Sequence, residues 1–386
     1  MDFDVIVVGG GLVGSAFAAA LEDSAFHVAL VEAKPPGPPS GQSWDARVYA
    51  ISPGNQAFLA SLGAWARIPD IRVAPVHGMD VRGDGGGRLR FDALGAGLSE
   101  LAFILESGQL GHALWRGLDQ QANLARFCGA SPHALRFEDT HARLELSDGR
   151  SLRARLIVGA DGARSWVRAA AGIEADPREY GQLGVVANFE TAKPHGHLAR
   201  QWFREDGILA FLPLPGNRVS IVWSTPEPHA RALLALDEAA FCQRVREAGN
   251  DALGALTLLT PAAGFPLRLL SLPSLVRPRL ALIGDAAHNV HPLAGQGVNL
   301  GFHDARCLAA TLKAAGPERD CGDHLGLRRY DRARKEDILA MQLVTDGLEK
   351  LFRVRHPLVK WGRNRGLDLT NRQDWLKNAL VRHALS

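Results

Sequence analysis

Apolar positions near the start of the chain follow two periods in turn. Asp4–Val8 reads DVIVV, a continuous β-branched run suited to a strand buried on both faces. Ser15–Asp23 reads SAFAAALED, Ala-rich and helix-forming. His27–Glu32, HVALVE, predicts a second buried strand. Strand, helix and strand make one βαβ unit. Four short β-like runs come later, at Gln182–Thr191, Ala199–Phe203, Ile208–Leu214 and Arg218–Ser224. Turn signals separate them, and Pro215–Asn217 suits a hairpin. They predict a second, sheet-based unit, to which the Gly-rich stretch Arg72–Leu98 adds two strands and a flexible loop. Asp346–Ser386 reads as helical and basic, with Trp375, Leu376, Ala379 and Leu380 at helical spacing on one face.

Composition narrows the class. The chain has 386 residues, 46% hydrophobic and 22% charged, ample to bury a core without disulfide or metal staples. That balance excludes a disordered chain. Lys plus Arg is 44 against 41 for Asp plus Glu, a net charge of only +3, so the chain as a whole is no electrostatic nucleic-acid binder. Cys128, Cys242, Cys307 and Cys321 form no C-x-x-C pair, which fits a reducing compartment. The apolar N-terminus begins with Asp2 and Asp4 and is broken by glycines, so neither a signal peptide nor a spanning helix is expected there.

The junction after the first strand reads GGGLVG, and Gly9, Gly11 and Gly14 fill the pattern G-x-G-x-x-G. The first glycine permits a tight turn, the second lets backbone approach a pyrophosphate, and the third lets helix pack on strand. The helix N-terminus offers free N–H groups and a positive dipole end to phosphates. Glu32 closes the second strand, where a carboxylate hydrogen-bonds ribose hydroxyls and disfavours a 2′-phosphate. NAD or FAD is therefore expected rather than NADP.

Further motifs bear on that choice. A Pro/Gly/Ser loop leads into DARVYAIS at Asp45–Ser52, where Arg47 is placed to reach a phosphate or a ring. Ile104–Trp115 reads as a turn followed by an amphipathic helix, with Gln109 near its start. In Leu156–Arg168 an apolar strand ends in Asp161-Gly162 and a helix follows. In Arg279–Ala305 a strand from Leu280 to Ile283 ends in Gly284-Asp285. A Pro/Gly loop then runs through Gly295, Gln296 and Gly297 into a helix starting near Val298. A carboxylate at a strand end suits polyol hydroxyls. A glycine-rich helix start suits an electron-rich ring edge.

In this order and spacing, the motifs resemble the single-component FAD-dependent aromatic hydroxylases. GDAAHNVHPLAGQGVNLGFHDA, DARVYAIS and GILAFLPLPGNRVSIVWS resemble the ubiquinone-biosynthesis branch in particular, from Asp2 to about Phe352. The resemblance implies an α/β fold: a Rossmann-like FAD-binding domain with an inserted β-sheet substrate domain and a helical C-terminal region. The expected boundaries are 1–71, 99–176 and 264–345 for the FAD domain, 72–98 and 177–263 for the substrate sheet, and 346–386 for the helical region.

The resemblance also implies roles. Gly9, Gly11, Gly14 and Glu32 would hold the ADP half of FAD. Arg47 and Gln109 would contact its pyrophosphate and ribityl region. Asp161 would support FAD and a transient NAD(P)H site, and Asp285 would bind a ribityl hydroxyl. Gly297 and the N–H groups of Val298 and Asn299 would meet the pyrimidine edge of the flavin. The implied reaction is hydroxylation of a polyprenylated phenol in ubiquinone biosynthesis, with NAD(P)H and O2, through a flavin C4a-hydroperoxide. No catalytic side chain is implied. Other quinone-biosynthesis proteins are expected partners, and nucleic acid is not. A cytoplasmic location is expected, with peripheral contact on the inner face of the membrane as an extension of it.

Three other readings compete. A related hydroxylase would act on a soluble aromatic or a secondary metabolite. A non-catalytic FAD-binding member of a biosynthetic complex would oxidise no NAD(P)H. A plain NAD-dependent dehydrogenase would lack flavin. Asp285, His288 and His291 are spaced like metal ligands, but they lie in a Pro/Gly loop without a fourth ligand, so no metal is expected. Trp202, Phe203, Phe211 and Trp223 are candidates either for an apolar substrate pocket or for ordinary core.

Overall fold

A computed structural model describes residues 2–39, 41, 43–175, 177–291, 296–354 and 356–385; the side chains of 379, 380 and 382–385 are outside that description. Residues Pro292–Gly295 of the expected Pro/Gly loop, Arg355, and the side chains of Ala379, Leu380 and Arg382 therefore lie outside the described residues.

The chain opens with β1 (Phe3–Val8), α1 (Leu12–Ala20) and β2 (Val28–Glu32). Val5, Ile6 and Val7 are wholly buried, as an unbroken apolar run requires. Next come β3 (Val48–Ile51), α2 (Pro53–Ser61), β4 (Ala74–Val76), β5 (Gly78–Arg82), β6 (Arg88–Asp92), β7 (Ala102–Glu106) and α3 (Ser107–Gly117). β8 (Leu124–Cys128), β9 (Pro132–Phe137), β10 (Ala142–Leu146), β11 (Ser151–Gly159) and α4 (Trp166–Ala170) follow. The middle holds β12 (Arg178–Thr191), β13 (Leu198–Arg204), β14 (Gly207–Leu214), β15 (Arg218–Pro226), α5 (Glu227–Leu234), α6 (Glu238–Ala248), β16 (Leu256–Leu258) and β17 (Ala263–Leu269). The chain returns through β18 (Val276–Arg277) and β19 (Leu280–Leu282) to α7 (Gln296–Ala315), then α8 (His324–Arg353), α9 (Pro357–Asn371) and α10 (Asp374–Leu385).

The first sheet runs β18-β19-β11-β1-β2-β8, with β10 and β9 added beside β11. β1 lies parallel to both β2 and β11, and β11 parallel to β19. The ends of β1, β2, β11 and β19 thus point the same way, whereas β3 and β7, which carry the other two motifs, run antiparallel to each other. The second sheet runs β16-β12-β15-β14-β13-β5-β6, with β17 on β12. A small third sheet, β3-β7-β4, is drawn from the chain between β2 and β8.

Two local expectations change. Ala102–Glu106, read as a turn from Ile104, is a strand hydrogen-bonded to both β3 and β4. Its alternation is hidden because Ile104, Leu105 and Glu106 are all buried. The expected boundary puts residues from 264 in the nucleotide unit, yet β17 pairs antiparallel with β12 of the second sheet.

The basic C-terminal helices are docked. The Asn364 carbonyl Oδ1 accepts from the N–H of Gly85 at 3.0 Å and of Gly87 at 2.9 Å. Asp368 and Asn371 accept from the N–H groups of Arg88 and Arg90. Side chains of α9 thereby occupy the open edge of β6, which would otherwise invite another strand. Arg363 pairs with Asp84 and donates to the carbonyls of Leu351 and Val354 at the end of α8.

Candidate active site

The glycines after β1 show where a ligand fits. A Cβ on Gly9, whose φ is +105°, would come within 2.5 Å of the Ala160 carbonyl oxygen. One on Gly14 would come within 1.9 Å of the Gly9 carbonyl oxygen. Both positions are closed by backbone. Gly11 is the opposite, since nothing lies within 4 Å of a Cβ built there. The loop is packed tightly behind and open in front, at the N-terminus of α1, as backbone approach to a pyrophosphate requires.

Glu32 sits beside this opening. Its carboxylate accepts from the N–H of Gly10 at 2.6 Å and of Lys34 at 2.8 Å. Lone pairs remain for hydroxyl donors. Asp161 is differently placed from what its motif suggested. Ser165 Oγ donates to its Oδ1 at 2.5 Å and Val167 N–H to its Oδ2 at 3.0 Å. Both oxygens are engaged in starting α4, so Asp161 shapes the turn that forms the back wall of Gly9. Arg168 ties this turn to the third motif by donating to the carbonyls of Ala163 and Ala286.

The third motif lies against the first. Gly284 and Gly301 both face Val13 of α1, where a Cβ would meet its side chain at 3.2 and 2.5 Å. Asp285 follows β19. Its side chain is open to solvent, yet its carboxylate makes no hydrogen bond with the described residues, and protein crowds its other sides. Desolvation raises its pKa, and the positive charges of His288 and Arg47 act against that rise. A carboxylate open on one side of such a recess is available to accept from a bound hydroxyl. Arg47 also lies near Tyr49 of β3, whose phenol is pushed up by burial; sequence reasoning passed over Tyr49 although it stands inside the DARVYAIS motif.

Gly297 and Val298 lie in the first turn of α7, where backbone N–H groups lack an acceptor within the helix. Among the described residues nothing lies within 4 Å of a Cβ built on Gly297. Asn299 has a further task. Its Oδ1 accepts from Ser52 N–H at 3.1 Å and Asn55 Nδ2 at 2.9 Å, and its Nδ2 donates to the Ala50 carbonyl at 2.8 Å. It holds the start of α7 to the end of β3. Gln109 lies in the first turn of α3, its amide free of hydrogen bonds with the described residues.

Asp45 joins these parts. Its Oδ1 accepts from Arg47 N–H and its Oδ2 from Gly108 N–H, at 2.9 and 3.1 Å. Its own N–H donates to Glu106, which pairs with buried Arg72, and its carbonyl accepts from Asn188 of β12. The segments carrying Arg47 and Gln109 are thereby linked to the second sheet. A second buried node centres on Asp304. It accepts from Gly284 N–H at 2.9 Å and Arg334 Nε at 2.8 Å, and lies 2.6 Å from His288 Nε2. His291 is fully buried, with Nε2 3.3 Å from Gln182 Oε1, and burial lowers its pKa to about 4. Among the described residues no group of three or more His, Cys, Asp and Glu could hold a metal ion.

All four aromatic candidates are buried in core clusters. Trp202, Phe211 and Trp223 pack with Val245 and Phe241 of α6, on the face of the second sheet away from Asp45. Alternation along β15 sends Trp223 to that side with Val219 and Ile221. Phe203 faces the other way and stacks on Phe352 of α8, ring centroids 3.8 Å apart.

The residues fit FAD: open loop, free carboxylate and open helix start lie together at the ends of parallel strands. Residues 133–345 match the family model described as FAD binding domain. Ubiquinone hydroxylase UbiL of Rhodospirillum rubrum is 35% identical, over 99% of this chain and 89% of that protein. The chain belongs to the ubiquinone-biosynthesis hydroxylase family. Another relative in this family, the 3-demethoxyubiquinol 3-hydroxylase of Escherichia coli, is 34% identical over 99% of this chain and 98% of its own length. The crystal structure of pqsL, a probable FAD-dependent monooxygenase from Pseudomonas aeruginosa, aligns with a TM-score of 0.80 at 26% identity, covering 95% of this chain and 99% of that one. This member of the hydroxylase family is an FAD-dependent monooxygenase with an α/β fold, as its motifs led us to expect.

Proposed function

We propose that the enzyme hydroxylates the aromatic ring of a polyprenylated phenol in ubiquinone biosynthesis. The overall change is ring C–H plus O2, NAD(P)H and a proton to ring C–OH, water and NAD(P)+. Bound FAD supplies the redox chemistry, taking electrons from NAD(P)H and activating oxygen. The observation that carries the reading is Asp285, whose carboxylate makes no hydrogen bond with the described residues, beside a glycine-lined helix start, in a chain similar end to end to named ubiquinone hydroxylases.

The chain's own residues bind, orient and exclude water. Gly9, Gly11, Gly14 and the start of α1 receive the pyrophosphate, and Glu32 the ribose. Arg47 and Gln109 reach the pyrophosphate and ribityl region, and Asp285 accepts from a ribityl hydroxyl. The N–H groups of Val298 and Asn299, beside Gly297, meet the pyrimidine edge. Asp161 acts by holding the turn behind Gly9. The nucleotide unit, the second sheet and the C-terminal helices take the boundaries given above, except that β17 goes with the second sheet, β4 with β7, and α8 runs unbroken across residue 346. The inner face of that sheet is mostly apolar, which suits a prenylated ring and keeps water from the reacting centre.

The first test is the visible spectrum of the purified protein, with its released cofactor identified. Flavin bands, FAD on release and phenol-dependent NAD(P)H oxidation are expected. A colourless protein that takes up no added FAD overturns the reading. Asp285→Ala should fold normally and retain far less FAD; wild-type flavin content in that variant would remove Asp285 from the site.

The same reading extends to an anionic membrane surface. Leu343, Trp361 and Trp375 on the C-terminal helices are 74%, 64% and 70% exposed, and Arg365 lies 5.9 Å from the Trp361 ring. Apolar and basic side chains interleaved in this way suit the membrane interface. Among the described residues no helix is long and apolar enough to cross a membrane. Co-sedimentation with phosphatidylglycerol vesicles is expected, weakened by Trp361→Ala with Trp375→Ala; equal sedimentation of that double variant would count against this surface.

A further inference from the structure

We infer that Gln201 is the polar contact that recognises the oxygen substituent of the substrate's ring. The inference rests on the hydroxylase reading and names a residue for its substrate. Gln201 lies in the middle of β13, between Ala199 and Phe203 on one face of the strand. Ala199 packs with Val76 and Ile104 of the third sheet, and Phe203 with Val81, Ile208 and Phe352. Two apolar clusters thus flank a single amide. Its neighbours across the ladder, Ala210 and Val81, carry no polar side-chain group.

Gln201 is only 5% exposed, yet its amide makes no hydrogen bond with the described residues. Asn188 Oδ1 and Ser220 Oγ on the same sheet are also unpartnered, but they are sealed from solvent; the Gln201 amide is not. A near-buried amide with no protein partner, still reachable in an apolar wall, is the pattern of a ligand contact. The carboxamide offers both an acceptor and a donor. It can accept from a phenolic hydroxyl through Oε1 and donate to a ring oxygen through Nε2. The face it occupies is the one that Asn188 joins to Asp45, and so to the segment carrying Arg47. A ring held there lies on the cofactor side of the sheet.

The experiment measures dissociation constants from the change in the flavin spectrum of FAD-loaded protein. The probes are 2-prenylphenol and prenylbenzene, and the variants are Gln201→Leu and Gln201→Asn. Loss of one hydrogen bond predicts about three- to tenfold weaker binding of 2-prenylphenol to Q201L, with prenylbenzene binding unchanged. Q201N should recover part of the loss. Flavin content and thermal midpoint of Q201L should equal or exceed wild type, because leucine removes an unpaired amide from an apolar wall. Equal affinity of wild type and Q201L for the phenol overturns the assignment and leaves the hydroxylase reading intact. Loss of flavin or of stability in Q201L also overturns it, making the amide structural. Failure of the wild type to respond to any phenol overturns both.

Discussion

Gly14→Ala should yield a protein without bound FAD and with sharply lowered stability. The added methyl would lie 1.9 Å from the Gly9 carbonyl oxygen and 3.0 Å from Ala160 Cβ. Backbone cannot rotate aside as a flexible side chain would. Either α1 moves off β1 or the Gly9 turn opens. Overpacking of a tight core costs about 1–3 kcal/mol, and this contact belongs at or above the top of that range. The control is Gly11→Val. Gly11 has φ −68° and nothing within 4 Å of a Cβ, so valine is tolerated by the fold. It projects into the space reserved for the pyrophosphate and should abolish FAD retention alone. Denaturant unfolding and released-flavin content, measured on both variants, separate the two effects. A Gly14→Ala protein with normal stability and flavin would refute the packing argument.

Asp304→Ala is expected to have the second largest effect. The carboxylate is 0% exposed and holds Gly284 N–H, His288 and Arg334 together. Removing it leaves the Arg334 guanidinium buried with, among the described residues, only Asp337 as an ionic partner. Breaking a buried ion pair on one side costs about 3–5 kcal/mol. Gly284 directly precedes Asp285, so flavin retention should fall as well. Burial alone would raise the Asp304 pKa; the charges and hydrogen bonds of His288 and Arg334 outweigh it and hold the carboxyl below the ordinary range. Its stabilisation is therefore complete above the unfolded carboxyl pKa of about 3.9 and is lost as pH falls through the lower folded value. Wild-type stability should drop steeply in that acid window. Asp304→Asn should show a flatter acid limb in the same denaturation series. Parallel acid limbs for wild type and Asp304→Asn would show that Asp304 does not carry this term.

Asp304 also shows where sequence reasoning stops. It stands inside the motif GFHDA, yet nothing in the spacing of sixteen residues from His288 announces a partner. Asp45 is similar: it was read as the first letter of a motif carrying Arg47, while its hydrogen bonds reach Gly108 and Glu106 far along the chain. The Trp residues of the second sheet show a related limit. Aromatic runs mark burial, but which face of a strand is buried against helices depends on where α5 and α6 return. Core is the readier reading of Trp202 and Trp223 from sequence, and it is α6 that supplies the face they pack against.

By itself the sequence determined the βαβ start, the glycine turn with its helix N-terminus, the acid at the end of β2 and the carboxylate after β19. Each of these is local. A β-branched run, a G-x-G-x-x-G turn and a strand-end acid are short-range consequences of backbone sterics and strand alternation, so they can be read in order along the chain. Tertiary structure alone decided that Asp161 is spent on α4, that α9 covers the edge of β6, and that Gln201 has no partner among the described residues between two apolar clusters. Those facts depend on which distant groups meet. A hydrogen bond between residues hundreds apart has no period, and an unsatisfied amide is visible only when every neighbour that could have satisfied it is in place.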